Sequence, residues 1–195
     1  IDGDHIHNVL NKINPEKTLF VIVSKTFTTI ETLTNAATAR DWFLGYAKEE
    51  DVANHFVAVS SNVKKAVDFG IKLENIFPMW DWIGGRTSEL SAVGLLPAAL
   101  QGIDIQGMLE GAKDCDEATR SMDINSNPAV LLAMMWHHCG SGKGDKAMVV
   151  LPYKDRLQPF SRYLQQLVME SLGKARDLEG NMVEQGIAVY GNKGS

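Results

Sequence analysis

Residues 18–29 read Thr-Leu-Phe-Val-Ile-Val-Ser-Lys-Thr-Phe-Thr-Thr. The first six, Thr18–Val23, are β-branched or apolar without a break, the pattern of a strand buried on both faces. Ser24–Thr29 follow as a polar turn. Glu31–Lys48 then has helical character, with Leu33, Ala36, Ala37, Phe43 and Leu44 as packing positions. Working outward, His55–Val59 predicts a second strand, Asn62–Phe69 a short helix, and Asn75–Pro78 the start of a third strand. Strands and helices alternating at this spacing predict βαβ units and a parallel sheet, hence an α/β fold.

Beyond a loop with Gly84 and Gly85, helical material is expected from Leu90 to Met122, interrupted near Pro97 and Gly102. Asn127-Pro128 opens another helix, to about His138. Gly140–Asp145 reads as a loop, Ala147–Leu151 as a buried strand, Leu157–Leu172 as a helix and Ile187–Tyr190 as a last strand. The pattern restarts after about Pro128, which suggests two partial α/β domains. Residues 1–103 form the later part of the first, 104–126 a helical connection, and 127–195 the opening of the second. The chain starts Ile-Asp-Gly-Asp-His without an initiator Met. It stops where a strand runs into Tyr190-Gly-Asn-Lys-Gly-Ser195. Both ends read as cut.

Bulk composition narrows the function. The 195 residues are 45% hydrophobic and 22% charged, the balance of a globular protein. The formal charge of −5 and the lack of a basic patch argue against nucleic acid. An anionic ligand remains open, because helix N-termini and one or two Lys or Arg supply local positive potential. The two cysteines, Cys115 and Cys139, form no CxxC and fit a reducing compartment. The longest apolar run, Pro128–Trp136, is too short to cross a bilayer, and no signal peptide is visible.

Three places could carry chemistry. Ser24–Thr29 lies at the carboxyl end of a buried strand, where open α/β sheets bind ligands. Hydroxyls of Ser24, Thr26 and Thr29, free amides at the helix start and the Lys25 charge suit a phosphate. A capping box of Thr28 with Glu31 is the plainer reading, and both can hold. In Gly84-Gly85-Arg86-Thr87-Ser88, glycines allow close backbone approach and Arg86 could stabilise developing negative charge. A flexible connection with a solvated Arg is the alternative. Glu170 sits on the expected helix Leu157–Leu172. At 100° per residue it flanks the stripe Leu157, Phe160, Leu164, Leu167 and Ser171. Gln166 is one turn earlier on the same side. A carboxylate flanking a packed face could take a proton from carbon, though an ordinary surface Glu is the plainer reading.

Two other patterns carry little. Gly140-Ser-Gly-Lys143-Gly-Asp has His137 and Gly144 where a phosphate loop needs Gly and Ser or Thr, and it precedes its strand. His137-His138-Cys139 diverge around a helix with no complementary cluster, so no metal site is expected.

Four motifs, in order, resemble the glucose-6-phosphate isomerase family. They are Ser24-Lys-Thr-Phe-Thr-Thr-Ile-Glu-Thr32, Gly84-Gly-Arg-Thr-Ser-Glu-Leu-Ser-Ala-Val-Gly94, Val168-Met-Glu-Ser-Leu-Gly-Lys174 and Tyr190-Gly-Asn-Lys-Gly194. The similarity spans essentially the whole chain. It implies parallel βαβ sugar-isomerase domains of three-layer αβα type, with the active site between them, in a cytoplasmic homodimer (or one of the plastid stroma). The implied reaction interconverts glucose 6-phosphate and fructose 6-phosphate through a cis-enediol, without metal or organic cofactor. By resemblance Ser24, Lys25, Thr26 and Thr29 belong to the phosphate pocket. Gly85 and Arg86 face the sugar, Gln166 binds substrate, and Glu170 is the acid/base.

This sequence departs from many members at Thr87, where they have an aromatic residue, and at Leu172, where they have Asn. Both fit a bacterial or plastid-type branch. The family's early Gly-Gly-Ser loop is expected before Ile1, its ring-opening His just after Ser195, and its C-terminal Lys far beyond. The 195 residues alone are therefore expected to be inactive. The competing reading is a non-catalytic sugar-phosphate-binding module, which would keep Ser24–Thr29 but need neither Glu170 nor Arg86.

Overall fold

The apolar run at Thr18 becomes strand β1, Phe20–Val23, in the computed structural model, which describes residues 2–194. The two ends on which the expectation of a cut chain turns, Ile1 and Ser195, lie outside the described residues. Helix α1, Gly3–Leu10, precedes β1 and was not anticipated; Asp2 caps it by accepting from the amides of Asp4 and His5. After β1 come α2, Ile30–Leu44, α3, Glu49–His55, β2, Phe56–Ser60, α4, Val63–Asp68, β3, Ile76–Pro78, and α5, Ala92–Leu100. The chain divides at Ile105/Gln106 into two units.

In the first unit all strand pairs are parallel, in the order β1-β2-β3. Register explains the core. Phe20 pairs Phe56, and Ile22 pairs Ala58, which pairs Ile76; Val23 pairs Val59, which pairs Phe77. Side chains alternate across a strand, so these two sets face opposite ways. The first set packs with Ala36 and Phe43 of α2, Val52 of α3 and Ala66 of α4. The second packs with Met79, Ile83, and Ala92, Val93 and Leu96 of α5. The sheet is thus covered on both faces, three layers in all, and the central strand β2 is buried at every residue. Phe56 stacks on Phe20 at 4.7 Å and meets Phe43 edge-on at 5.8 Å.

Two expectations of local structure change. Helix α2 ends at Leu44, before Gly45, and does not reach Lys48. The acidic run Glu49-Glu50-Asp51 instead forms the first turn of α3, with Asp51 accepting from the Lys48 amide at 2.9 Å. Negative charge there complements the helix dipole. Pro97 does not interrupt its helix but lies inside α5, and the break falls at Gly102, with φ 73°.

The remaining elements are α6, Ile105–Thr119, α7, Pro128–Cys139, β4, Met148–Val150, α8, Phe160–Leu164, α9, Glu170–Leu172, and β5, Val189–Gly191. In the second unit β4 pairs β5 in parallel. Asn127 caps α7 as the Asn-Pro pair predicts. Its Oδ1 accepts from the Ala129 and Val130 amides, while its Nδ2 donates to the carbonyls of Thr119 and Ser121. That side chain therefore fixes the start of α7 against the end of α6. Among the described residues, no helix is long and apolar enough to cross a membrane.

Candidate functional site

The polar turn after β1 is held from behind. Ser24, buried at the strand end, donates its amide to the carbonyl of Val59, extending the parallel ladder by one step. The carbonyl of Lys25 accepts from the Ser61 amide at 3.0 Å, the Ser61 hydroxyl at 2.6 Å and the Ser60 hydroxyl at 3.1 Å. Asn62 Nδ2 donates to the carbonyl of Thr26. Phe27 adopts φ 51° and buries its ring against Phe69, with centroids 5.9 Å apart. Ser60-Ser61-Asn62 thus anchor the turn, a role the sequence reading missed. Its signal was a polar triplet ending a buried strand, as Ser24 does in β1.

Because the carbonyls point back toward β2 and α4, the other side of the turn offers donors. Among the described residues, the amides of Lys25, Thr26, Thr28 and Thr29 make no hydrogen bond. The Thr26 and Thr28 hydroxyls bond each other at 2.6 Å, and those of Ser24 and Thr29 approach to 3.5 Å. The expected capping box is absent: the N-cap of α2 is Thr29, not Thr28, and its side chain makes no cap bond. The first amides of this 15-residue helix are left to bind something else. Open amides, hydroxyls and a helix N-terminus are groups of the kind that can bind an anion.

Lys25 differs from expectation. Its ammonium donates to the carbonyls of Asp81 at 2.5 Å and Ile83 at 3.2 Å. Those residues immediately precede Gly84, so the two motifs of the first unit are joined. Gly85–Thr87 form a single 3-10 turn. Ser88 Oγ donates to the carbonyl of Gly85, Ser91 Oγ donates to that of Ser88, and the same Ser91 Oγ accepts from the Val93 amide. This chain of bonds leads from Gly85 into the first turn of α5, so Arg86 sits on an ordered segment and is half-buried. A Cβ on Gly85 would meet no atom within 4 Å, whereas one on Gly94 would lie 2.2 Å from the carbonyl oxygen of Glu89. Packing therefore demands glycine at 94 and not at 85.

The second unit carries Gln166 and Glu170. The expected helix Leu157–Leu172 is three pieces: α8, a π-helical stretch Gln165–Met169, and α9. Asp155–Leu157 form a separate 3-10 turn, and Pro159 stands before Phe160. Bonds from i to i+5 widen the turn, so the 100° projection from Leu157 does not place Glu170. Gln166 and Glu170 are both exposed. Gln165 Nε2 donates to the carbonyl of Val189 in β5, and Lys174 Nζ donates to the carbonyl of Glu170. Gly191 of β5 lies where a Cβ would strike the carbonyl of Val150 and the side chain of Ser161, so β5 packs tightly against β4 and α8.

Comparison with known proteins bears on the family and the fold. The family model for phosphoglucose isomerase matches residues 1–195. A glucose-6-phosphate isomerase of Rippkaea orientalis is 59% identical across the whole chain, which covers 37% of that relative. One from Desulfitobacterium hafniense is 52% identical, with the same coverage. The crystal structure of a glucose-6-phosphate isomerase from Chlamydia trachomatis superposes with TM-score 0.86 at 32% identity, covering all of this chain and 38% of that one. A hypothetical protein from Thermus thermophilus superposes equally well at 30% identity, with 45% of its chain covered.

Proposed function

Since the chain belongs to the phosphoglucose isomerase family, we propose that it carries part of the active site of an enzyme interconverting glucose 6-phosphate and fructose 6-phosphate. The chain spans about 37% of the length of the curated relatives it matches. The activity is therefore that of a full-length enzyme containing these residues. The observation that carries the reading is the turn Ser24–Thr29, whose amides and hydroxyls open outward beside an uncapped helix start. We read residues 1–103 and 127–195 as parts of two sugar-isomerase domains, joined by the helical connection 104–126.

In this reading Ser24, Lys25, Thr26 and Thr29 hold the phosphate, and Gln166 binds the sugar. Glu170 removes the proton from C2 and returns it to C1 through a cis-enediol intermediate. One carboxylate serves both steps because the carbons are adjacent. Arg86 stabilises negative charge on the enediolate oxygens, which exists mainly in the transition state and intermediate. Gly85 fits this role: neither backbone conformation nor packing requires glycine there, and its open face leaves room for a sugar. Family membership extends the reading to a cytoplasmic homodimer working without a cofactor.

The test is Glu170→Gln in the full-length enzyme. Loss of a positioned general acid–base lowers kcat by about 10²–10⁴-fold, while a sugar phosphate still binds with near-normal affinity. Residual turnover close to that of the unsubstituted enzyme would remove Glu170 from the mechanism.

A further inference from the structure

Lys25 is the cation of the phosphate turn, yet its ammonium is turned onto protein carbonyls. It donates to Asp81 and Ile83, 56 and 58 residues further along the chain. Its own carbonyl is meanwhile bound three times by Ser60 and Ser61 at the end of β2. The residue is therefore fixed at both ends: backbone to β2, side chain to the segment after β3. That segment is otherwise lightly held. Trp80, Asp81 and Trp82 are exposed, with the two indoles stacked on each other at 5.7 Å and 4°. Only Ile83 reaches the core, beside Val59 and Met79. Directly after it come Gly84 and Gly85, the two most permissive residues for backbone motion, and then Arg86.

We propose that the Lys25 side chain is a positioning residue, a strap that fixes Asp81–Ile83 and so sets where the Gly85–Arg86 turn lies relative to the phosphate turn. This rests on the isomerase reading and refines it: Lys25 serves the phosphate through its backbone amide, while its ammonium serves Arg86 at a distance. The chemistry favours the division. An ammonium has three donors and no acceptor capacity, and two of those donors already have carbonyl partners. A ligand whose binding is felt at Ser24–Thr29 is thereby linked mechanically to the group that acts on the sugar.

The experiment uses Lys25→Met in the full-length enzyme, with inorganic phosphate as a competitive inhibitor and near-ultraviolet circular dichroism of the stacked indoles. Trp82→Phe in the unsubstituted background identifies the signal of the Trp80–Trp82 pair. A strap predicts that kcat falls about 10- to 100-fold, as expected when a catalytic group shifts by about an ångström. The inhibition constant for phosphate stays within about twofold, and the indole-pair signal collapses. Lys25→Arg, which keeps the donors, recovers part of the signal and part of kcat. A tenfold rise in the phosphate inhibition constant with kcat and the indole signal unchanged would overturn the proposal, making Lys25 a direct phosphate ligand. No change in any readout would overturn it equally. Should the Met variant not fold, Lys25→Gln is read by the same criteria. If the unsubstituted enzyme does not isomerise, the functional reading fails on its own, and the indole signal still decides the strap.

Discussion

At the scale of single residues, the site depends on positions that carry no reactive group. Gly94 is the clearest. Its Cα faces the carbonyl of Glu89 so closely that a methyl group would sit 2.2 Å from that oxygen. The neighbour is backbone, within the turn leading from Arg86 to α5, and it cannot swing aside. Gly94→Ala is expected to destabilise the protein by about 1–3 kcal/mol, the usual range for overpacking, measured by denaturant unfolding. It should also lower activity more than its stability loss explains, because relief comes from moving the Arg86 segment. Lys25 shows why such residues are hard to read from sequence. Its partners are carbonyls of Asp81 and Ile83, and any residue has a carbonyl. No pattern of side chains could have named them.

Among elements, legibility follows periodicity. β1 was clear because Thr18–Val23 is uninterrupted, though Thr18 and Leu19 proved to lie outside the strand. α7 was clear because Asn-Pro is both a cap and a first turn. α3 was hidden because Glu49-Glu50-Asp51 looks like solvated surface until the helix dipole is considered. The break at Leu164 was invisible for a different reason: a reading that assumes 3.6 residues per turn has no way to see five residues of π-helix. The cap of α7 can be tested directly. Asn127 is buried and uses both ends of its amide, accepting two bonds and donating two. Asn127→Ala should cost about 1–2 kcal/mol from the cap, plus the penalty of leaving the Thr119 and Ser121 carbonyls unpaired. Asn127→Asp should recover the cap while still losing both donors. Thermal unfolding of the three proteins separates the two contributions.

Over the whole molecule, burial is unevenly divided. Both hydrophobic core clusters belong to the first unit, where Phe43, Val52, Phe56 and Val59 are each at most 1% exposed. In the second unit the buried apolar residues among those described are Val168 and Val189. Leu131, Leu132, Met134 and Met135 of α7 are exposed. Local stability follows buried apolar contact. Hydrogen exchange of the 195-residue chain should therefore show slow amides at Val57–Ser60 and much faster ones at Met148–Val150. Equal protection of β2 and β4 would contradict this division. The parallel sheet and its two covered faces were legible in the sequence because continuous apolar runs mark strands buried on both sides. The site was legible only as motifs, since the bonds that aim it run between backbone groups far apart in the chain.

Phe27 gives the turn Ser24–Thr29 a property of a different kind. A bulky side chain in the left-handed region is disfavoured by about 1–3 kcal/mol, and here it is kept there by the burial of its ring against Phe69. The turn is therefore shaped when the protein folds and not when a ligand arrives. A rigid receptor has little disorder left to surrender on association. Its selectivity should then come from shape and charge, favouring tetrahedral dianions over planar carboxylates of equal charge.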